Sequence, residues 1–448
     1  MPMQMGFRWY GKGNDNISLA DIKQIPGVTS IVWALHNKMP GEVWEEEEIA
    51  EVKAQLEEYG FNNEVVESVN VHDDIKIGLP TRDKYIENYK QTIRNLAKYG
   101  VKVICYNFMP IFDWTRSDLF HPVGDGSTAL FYEKGMIQED YNAMAKYILD
   151  FTEKYNMSFP GWEPERMAKL DQLFKDYAGV DHEKLWANLK YFLEALMPTC
   201  EETGIKMAIH MDDPPWDIFG LPRLMVSAEN IDRFLSMVDH PCNCLTLCSG
   251  SLNANPDNHV APIIRKHCDR IAFAHVRNIK HFPNGDFSEA AHRDCCGETG
   301  ILEIMKAFHD CGYEGYIRPD HGRHLWVRVP APPVPVTVCM SGLWALCTCW
   351  ALGICWRSRR LTSCNYPCVF LGTILLDGAH FPLFEALCHR KREWKFCFLH
   401  KSAGIQERAI AKKRQIVYNI SVKNGAYLKG IRLKHKLLGG NSLWQIFP

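Results

Sequence analysis

Residues 1–326 of this 448-residue chain predict an α/β protein, a (β/α)8 TIM barrel, and three observations carry that prediction. Short β-rich apolar runs recur eight times. Segments of helical period separate them, and a glycine repeatedly stands between a helix and the strand that follows. Eight parallel strands joined by right-handed crossovers suit a barrel of about 250 residues plus insertions. The alternative is an open doubly wound sheet, but no Gly-x-Gly-x-x-Gly turn follows the first strand.

The strands are expected at 7–11, 29–35, 63–69, 101–108, 206–212, 244–250, 270–279 and 315–321. Amphipathic segments at 45–59, 84–99, 183–203 and 300–311 supply crossover helices. Each of these four ends at a glycine (Gly60, Gly100, Gly204, Gly312), the residue that accepts the positive φ of a helix stop. The Glu45–Glu48 run reads as the solvated first turn of a helix, where negative charge suits the dipole. An insertion at about 113–179, between the fourth and fifth strands, carries Trp114 and Trp162 and could form a lid.

Charge divides the chain in two. The formal net charge of −2 argues against a nucleic-acid binder driven by bulk charge. Yet residues 327–448 hold 18 Lys and Arg against 4 Asp and Glu, a balance of +14, which leaves −16 for residues 1–326. Of the 17 cysteines, 8 fall in the last 122 residues. Such asymmetry ordinarily marks a basic tail or a partner-binding module. The first ten residues lack the apolar stretch of a secretory signal. The cysteines before Trp326 form no regular framework, with Cys242, Cys244 and Cys248 at the end of an apolar run. A reducing, cytoplasmic setting is therefore expected.

A barrel builds its active site where the strands end. Those positions hold His210, Cys248, His275 and Asp320, on four successive strands. Two imidazoles, a thiolate and a carboxylate make a mixed site for a divalent transition metal. Any one of them alone reads more simply as a core residue, because a buried cysteine usually behaves as a small hydrophobe. Four at equivalent places point to a metal. His321, beside Asp320, becomes a candidate acid or base. Arg8, His72, Arg277 and Lys280 lie at or near strand ends and could clamp a substrate carboxylate.

These residues, in this order, resemble the mannonate dehydratases. The stretches that carry the resemblance are Phe-Arg-Trp-Tyr-Gly at 7–11, Trp-Ala-Leu-His at 33–36, Ala-Ile-His-Met-Asp-Asp-Pro-Pro at 208–215, His-Val-Arg-Asn-Ile-Lys at 275–280 and Arg-Pro-Asp-His-Gly-Arg at 318–323. The resemblance covers residues 3–326. It implies a xylose-isomerase-like metal barrel that converts D-mannonate, a small sugar acid, to 2-keto-3-deoxy-D-gluconate in hexuronate breakdown. It further implies Mn2+ or Fe2+ on His210, Cys248, His275 and Asp320, and His321 in acid–base work beside a tyrosine. A homo-oligomer, a dimer, is implied for the intact family, with no nucleic-acid or membrane partner.

The family's tyrosine belongs soon after Trp326, in a Gly-Tyr-Gly-Leu-Tyr segment that leads into the last barrel helix. This chain instead reads Val-Arg-Val-Pro-Ala-Pro-Pro-Val-Pro-Val there, and 329–356 carries no charge. Taken at face value, 338–356 is long enough for a membrane anchor, with Arg357, Arg359 and Arg360 behind it. A one-base change of reading frame explains more. Back-translated codons of 336–356, read one base early, permit Gly-Tyr-Gly-Leu-Tyr-x-Arg-Ala-Leu-Gly-x-Met-Tyr-Leu-Leu-Gly. A frameshift at about Trp326 is therefore expected, which makes 327–448 an out-of-frame, disordered tail and removes the closing helix and the tyrosine. Two rival functions remain from the sequence: a sugar isomerase or epimerase on the same metal barrel, and a catalytically impaired, membrane-tethered protein.

Overall fold

In the computed structural model the described residues are 3–324, apart from 16, 140 and 156–161, together with six short strands between 369 and 447. Eight strands alternate with helices and close into a barrel in sequence order. They are β1 (Gln4–Arg8), β2 (Val28–Trp33), β3 (Asn62–Glu67), β4 (Val103–Tyr106), β5 (Lys206–His210), β6 (Asn243–Cys248), β7 (Ile271–His275) and β8 (Tyr316–Arg318). All neighbours pair in parallel, and β1 pairs with both β2 and β8. The barrel predicted from the eight runs is the barrel found. Each predicted run contains or overlaps its strand, and the overhangs at the C-terminal ends are the loops that build the site.

The helices α1 (Leu19–Lys23), α2 (Glu46–Glu58), α3 (Arg82–Lys98), α4 (His182–Thr203), α5 (Ala228–Met237), α6 (Val260–His267) and α7 (Ile301–Asp310) lie in the seven crossovers. On α3 the buried Ile86, Tyr89, Ile93 and Leu96 recur at helical spacing and face the barrel. Asp181 opens α4 by accepting a hydrogen bond from the Lys184 amide, and Gly204 ends it at φ 74°.

Strand side chains alternate between two cores. Val32, Val65, Val103, Ala208, Phe273 and Tyr316 fill the barrel interior. Ile31, Trp33, Ile104, Ile209 and Leu247 pack outward under the helices. The interior positions lead upward, two residues at a time, to Arg8, Glu67, His210, Cys248, His275 and Arg318 at the strand ends. Period two thus aims these six polar side chains at one point.

The insertion covers that end. Its strands Asp118–Pro122 and Thr128–Tyr132 pair with each other. Thr128–Tyr132 also pairs with Phe287–Ala290, which follows β7, and with Arg323–His324, which follows β8. The roof is therefore a sheet knitted from three separate loops.

Two further findings concern the cysteines and the tail. Cys268 and Cys311, 43 residues apart, are joined by a disulfide that the irregular cysteine spacing did not announce. Residues 358–448 form a unit of their own. Within it Val369–Leu376, Ala379–His389, Glu393–Phe398 and Val417–Tyr418 pair antiparallel in that order, and Arg432–Leu438 pairs with Asn441–Phe447. The 338–356 run and the segment expected to hold the family's tyrosine lie outside the described residues. Among the described residues, no helix is long and apolar enough to cross a membrane.

Candidate metal centre

His210, Cys248, His275 and Asp320 converge at the barrel's C-terminal end. One ligand atom from each lies within 4.8 Å of the others. His210 Nε2 is 3.1 Å from His275 Nδ1, and His275 Nδ1 is 3.5 Å from Asp320 Oδ2. Cys248 Sγ is 3.8 Å from Asp320 Oδ2. The register explains the convergence, since Cys248 stands beside His275 and His275 beside Arg318, two residues before Asp320. Asp320 itself has φ 60°, a left-handed turn that aspartate tolerates and that swings its carboxylate inward.

The residues fit a metal. His210 Nδ1 lies 2.6 Å from the Met211 carbonyl, a bond that uses its N–H and leaves Nε2 bare toward the cluster. Burial disfavours a Cys248 thiolate, but Arg277, His210 and His275 outweigh it and bring the thiol down to about 5. Burial also disfavours a His275 cation, yet Glu67 and Asp320 push it up to about 10. A bound divalent cation would favour the Cys248 thiolate and a neutral His275, whose Nε2 accepts from Arg318 Nε at 3.1 Å.

A shell of buried ion pairs fixes the ligands. Arg318 Nη2 donates to Glu67 Oε1 at 3.0 Å and lies 2.8 Å from Asp320 Oδ1, while Glu67 Oε1 is 3.3 Å from His275 Nε2. On the other side Arg277 Nη1 donates to Asp213 Oδ2 at 2.9 Å, and Arg277 Nε is 3.3 Å from Glu289 Oε2. Arg116 grips both carboxylates, with 2.9 and 3.1 Å bonds to Asp213 and 2.7 Å to Glu289. His321 Nδ1 sits 3.4 Å from Glu289 Oε1. Pairing at this density is what lets so many charges lie buried. Above the ligands opens a cavity lined among others by Arg8, Tyr10, Asn107, Asp113, Trp114 and His321. Burial raises Asp113 to about 6.

The D-mannonate dehydratase (UxuA) family matches this chain over residues 3–338. The chain belongs to the D-mannonate dehydratase family. Among curated relatives, Mannonate dehydratase 1 of Bacillus licheniformis is 58% identical over 325 residues, 72% of this chain and 88% of that protein. Mannonate dehydratase 1 of Halalkalibacterium halodurans is 59% identical over 326 residues, 72% of this chain and 89% of that protein. The solved mannonate dehydratase from Streptococcus suis serotype 2 superposes with a TM-score of 0.69 at 39% identity, over 80% of this chain and 96% of its own.

On this mannonate dehydratase barrel the expected substrate residues separate. Arg8 lines the cavity, its guanidinium 4.6 Å from the Tyr10 ring centre and 3.3 Å from His36 Nε2. Arg277 and His321 line it too, though Arg277 is largely engaged by Asp213 and Glu289. Lys280 does not join them. The chain turns after His275 into an antiparallel strand, Asn278–His281, whose own alternation points Lys280 to solvent near the Phe282 ring. His72 caps the short helix Asp73–Ile77, accepting from the Asp74 amide, and stacks on Tyr85 at 3.6 Å. Neither His72 nor Lys280 lines the cavity.

Sequence reasoning passed over Glu67, Arg116, Asp113, Asp213, Glu289 and Arg318. Glu67 and Arg318 were findable, because they end β3 and β8 in phase with the ligands. Arg116 and Glu289 carry no such signal, being 173 residues apart on the roof.

Proposed function

We propose that this chain dehydrates D-mannonate to 2-keto-3-deoxy-D-gluconate in cytoplasmic hexuronate breakdown, with Mn2+ or Fe2+ held by His210, Cys248, His275 and Asp320. The observation that carries this reading is the convergence of those four side chains beneath one polar cavity. When bound, a divalent ion supplies Lewis acidity for the charge that develops as the proton beside the substrate carboxylate leaves.

The protein's own groups have distinct tasks. Arg8, on the cavity wall with its guanidinium over Tyr10, offers charge and donors to the sugar-acid end. His321 moves a proton at the reacting carbon or at the departing hydroxyl, its Nδ1 side anchored by Glu289 and Arg277. The other proton transfer falls, by family resemblance, to a tyrosine that belongs after Trp326. The roof and the bulk of Trp114, whose ring centre is 6.1 Å from that of His321, limit water around the reacting atoms.

The same reading makes residues 327–448 the product of a changed reading frame. The charge balance, the cysteine content and the codon string support it. Sequencing the DNA across codons 320–345 tests it, and an intact reading frame with no base lost overturns it. For the reaction, D-mannonate is incubated with metal and either the 448-residue chain or a frame-restored chain. A 2-keto-3-deoxy acid is expected from the restored chain and little or none from the chain as written. An epimer or ketose from the restored chain would support a sugar isomerase instead.

A further inference from the structure

Outside the metal centre, two thiols stand together on the surface. Cys295 and Cys296 lie in one 3-10 turn, Asp294–Cys296, in the loop between Phe287–Ala290 and α7. Both are exposed, and their sulfurs are 3.9 Å apart. We propose that this adjacent pair is a chelating site for a soft trivalent electrophile of the organoarsenical class.

Geometry selects that ligand. Two sulfurs on one pyramidal trivalent atom stand somewhat closer than the 3.9 Å seen here, a gap that small side-chain torsions of two exposed cysteines can close. A direct disulfide fits less well, because neighbouring Cα atoms are about 3.8 Å apart while disulfides ordinarily span about 4.4–6.8 Å. Placing one atom between the sulfurs relieves that mismatch. Zinc would need four protein donors or nearly so. Among the described residues, the metal-binding group of three or more such side chains is the barrel cluster, and it does not include this pair. An organoarsenical needs two sulfurs and keeps its own carbon substituent.

The turn is held in place before any ligand arrives. Asn278 Nδ2 donates to the carbonyls of Ala291 and Arg293, at 2.8 and 3.0 Å. His292 Nε2 is 3.0 Å from the Pro319 carbonyl. Gly297 lets the turn lie flat, since a Cβ there would meet Asn278 Oδ1 at 2.4 Å and the Ile279 carbonyl at 2.5 Å. Such anchoring lowers the ordering cost of two-point binding. The step balances without an oxidant. Two As–S bonds form, the As=O bond breaks, and both thiol protons leave with the oxygen as water.

The test uses the full 448-residue chain, one equivalent of phenylarsine oxide, iodoacetamide and tryptic mapping. Peptide 294–306 carries these two cysteines and no others. The expected result is joint loss of alkylation at Cys295 and Cys296 under native conditions, restored by a competing dithiol. In Cys295→Ser the protection of Cys296 should vanish, and in Cys296→Ser that of Cys295. Unchanged alkylation of both thiols overturns the proposal. So does protection that survives in either serine variant, because that would be one-point binding.

Discussion

A Cβ added to Gly250 would lie 2.1 Å from Arg277 Nε, so the absence of a side chain there is what lets the Arg277 guanidinium reach Asp213 and Glu289. Gly250→Ala should therefore destabilise the chain by roughly 1–3 kcal/mol through overpacking, read as a lower denaturant midpoint. Glu289→Gln should cost more, roughly 3–5 kcal/mol, because it leaves Arg116 and Arg277 short of a buried counter-charge. Lys76 gives a pH signature. Burial lowers it to about 8, with its amine donating to the Met109 carbonyl at 2.9 Å. Its folded value lies below its unfolded one, so between about pH 8 and 10 the unfolded chain binds more protons and stability rises with pH. Relative to Lys76→Met, the wild-type chain should gain stability across that window, measured by urea unfolding; a constant difference would contradict the burial argument. At this scale the sequence was legible at His210, Cys248 and His275, which end barrel strands, and at Asp320, two residues past β8, but not at Glu67 and Arg318, which end strands just as plainly. It was misleading at Lys280, which is near a strand end but on a second, antiparallel strand with its own alternation.

The roof is the element that the sequence showed least. An insertion at about 113–179 was visible as a break in the β–α rhythm, yet the partners of its strand Thr128–Tyr132 come from the loops after β7 and β8. Such antiparallel partners, more than a hundred residues away, leave no local periodicity to read. Pairing with Arg323–His324 places the strand two residues from His321, with Ala129 opposite Arg323. Ala129→Pro removes an amide from the middle of this sheet and adds a ring where the strand has neighbours on both edges. Amides of Phe287–Ala290 and Arg323–His324 should then exchange hydrogen faster while those of β5 to β7 stay protected. Equal acceleration in the barrel would show that roof and barrel unfold as one unit.

Over the whole molecule the charge balance of −16 before residue 327 and +14 after it separates two compositions, and the family match covers the first and ends at residue 338. The eight strands close among the described residues, but an eighth crossover helix would have to come from the chain beyond β8. A frame-restored chain should supply it, covering apolar surface on β1 and β8, and should unfold at a higher temperature than the 448-residue chain. An equal or lower melting temperature would contradict that. The fold was legible because period two and helical period alternate so regularly. The proposal of a changed frame for the tail rests on codons, since composition alone cannot tell a basic module from a wrong frame. The central claim is that His210, Cys248, His275 and Asp320 make one metal centre. Titration with Co2+, followed by absorption, tests it most directly, because a bound thiolate gives a charge-transfer band that nitrogen and oxygen ligands do not. One Co2+ per chain is expected, with that band lost in Cys248→Ser. A chain that binds no Co2+, or a band that survives Cys248→Ser, would contradict the account.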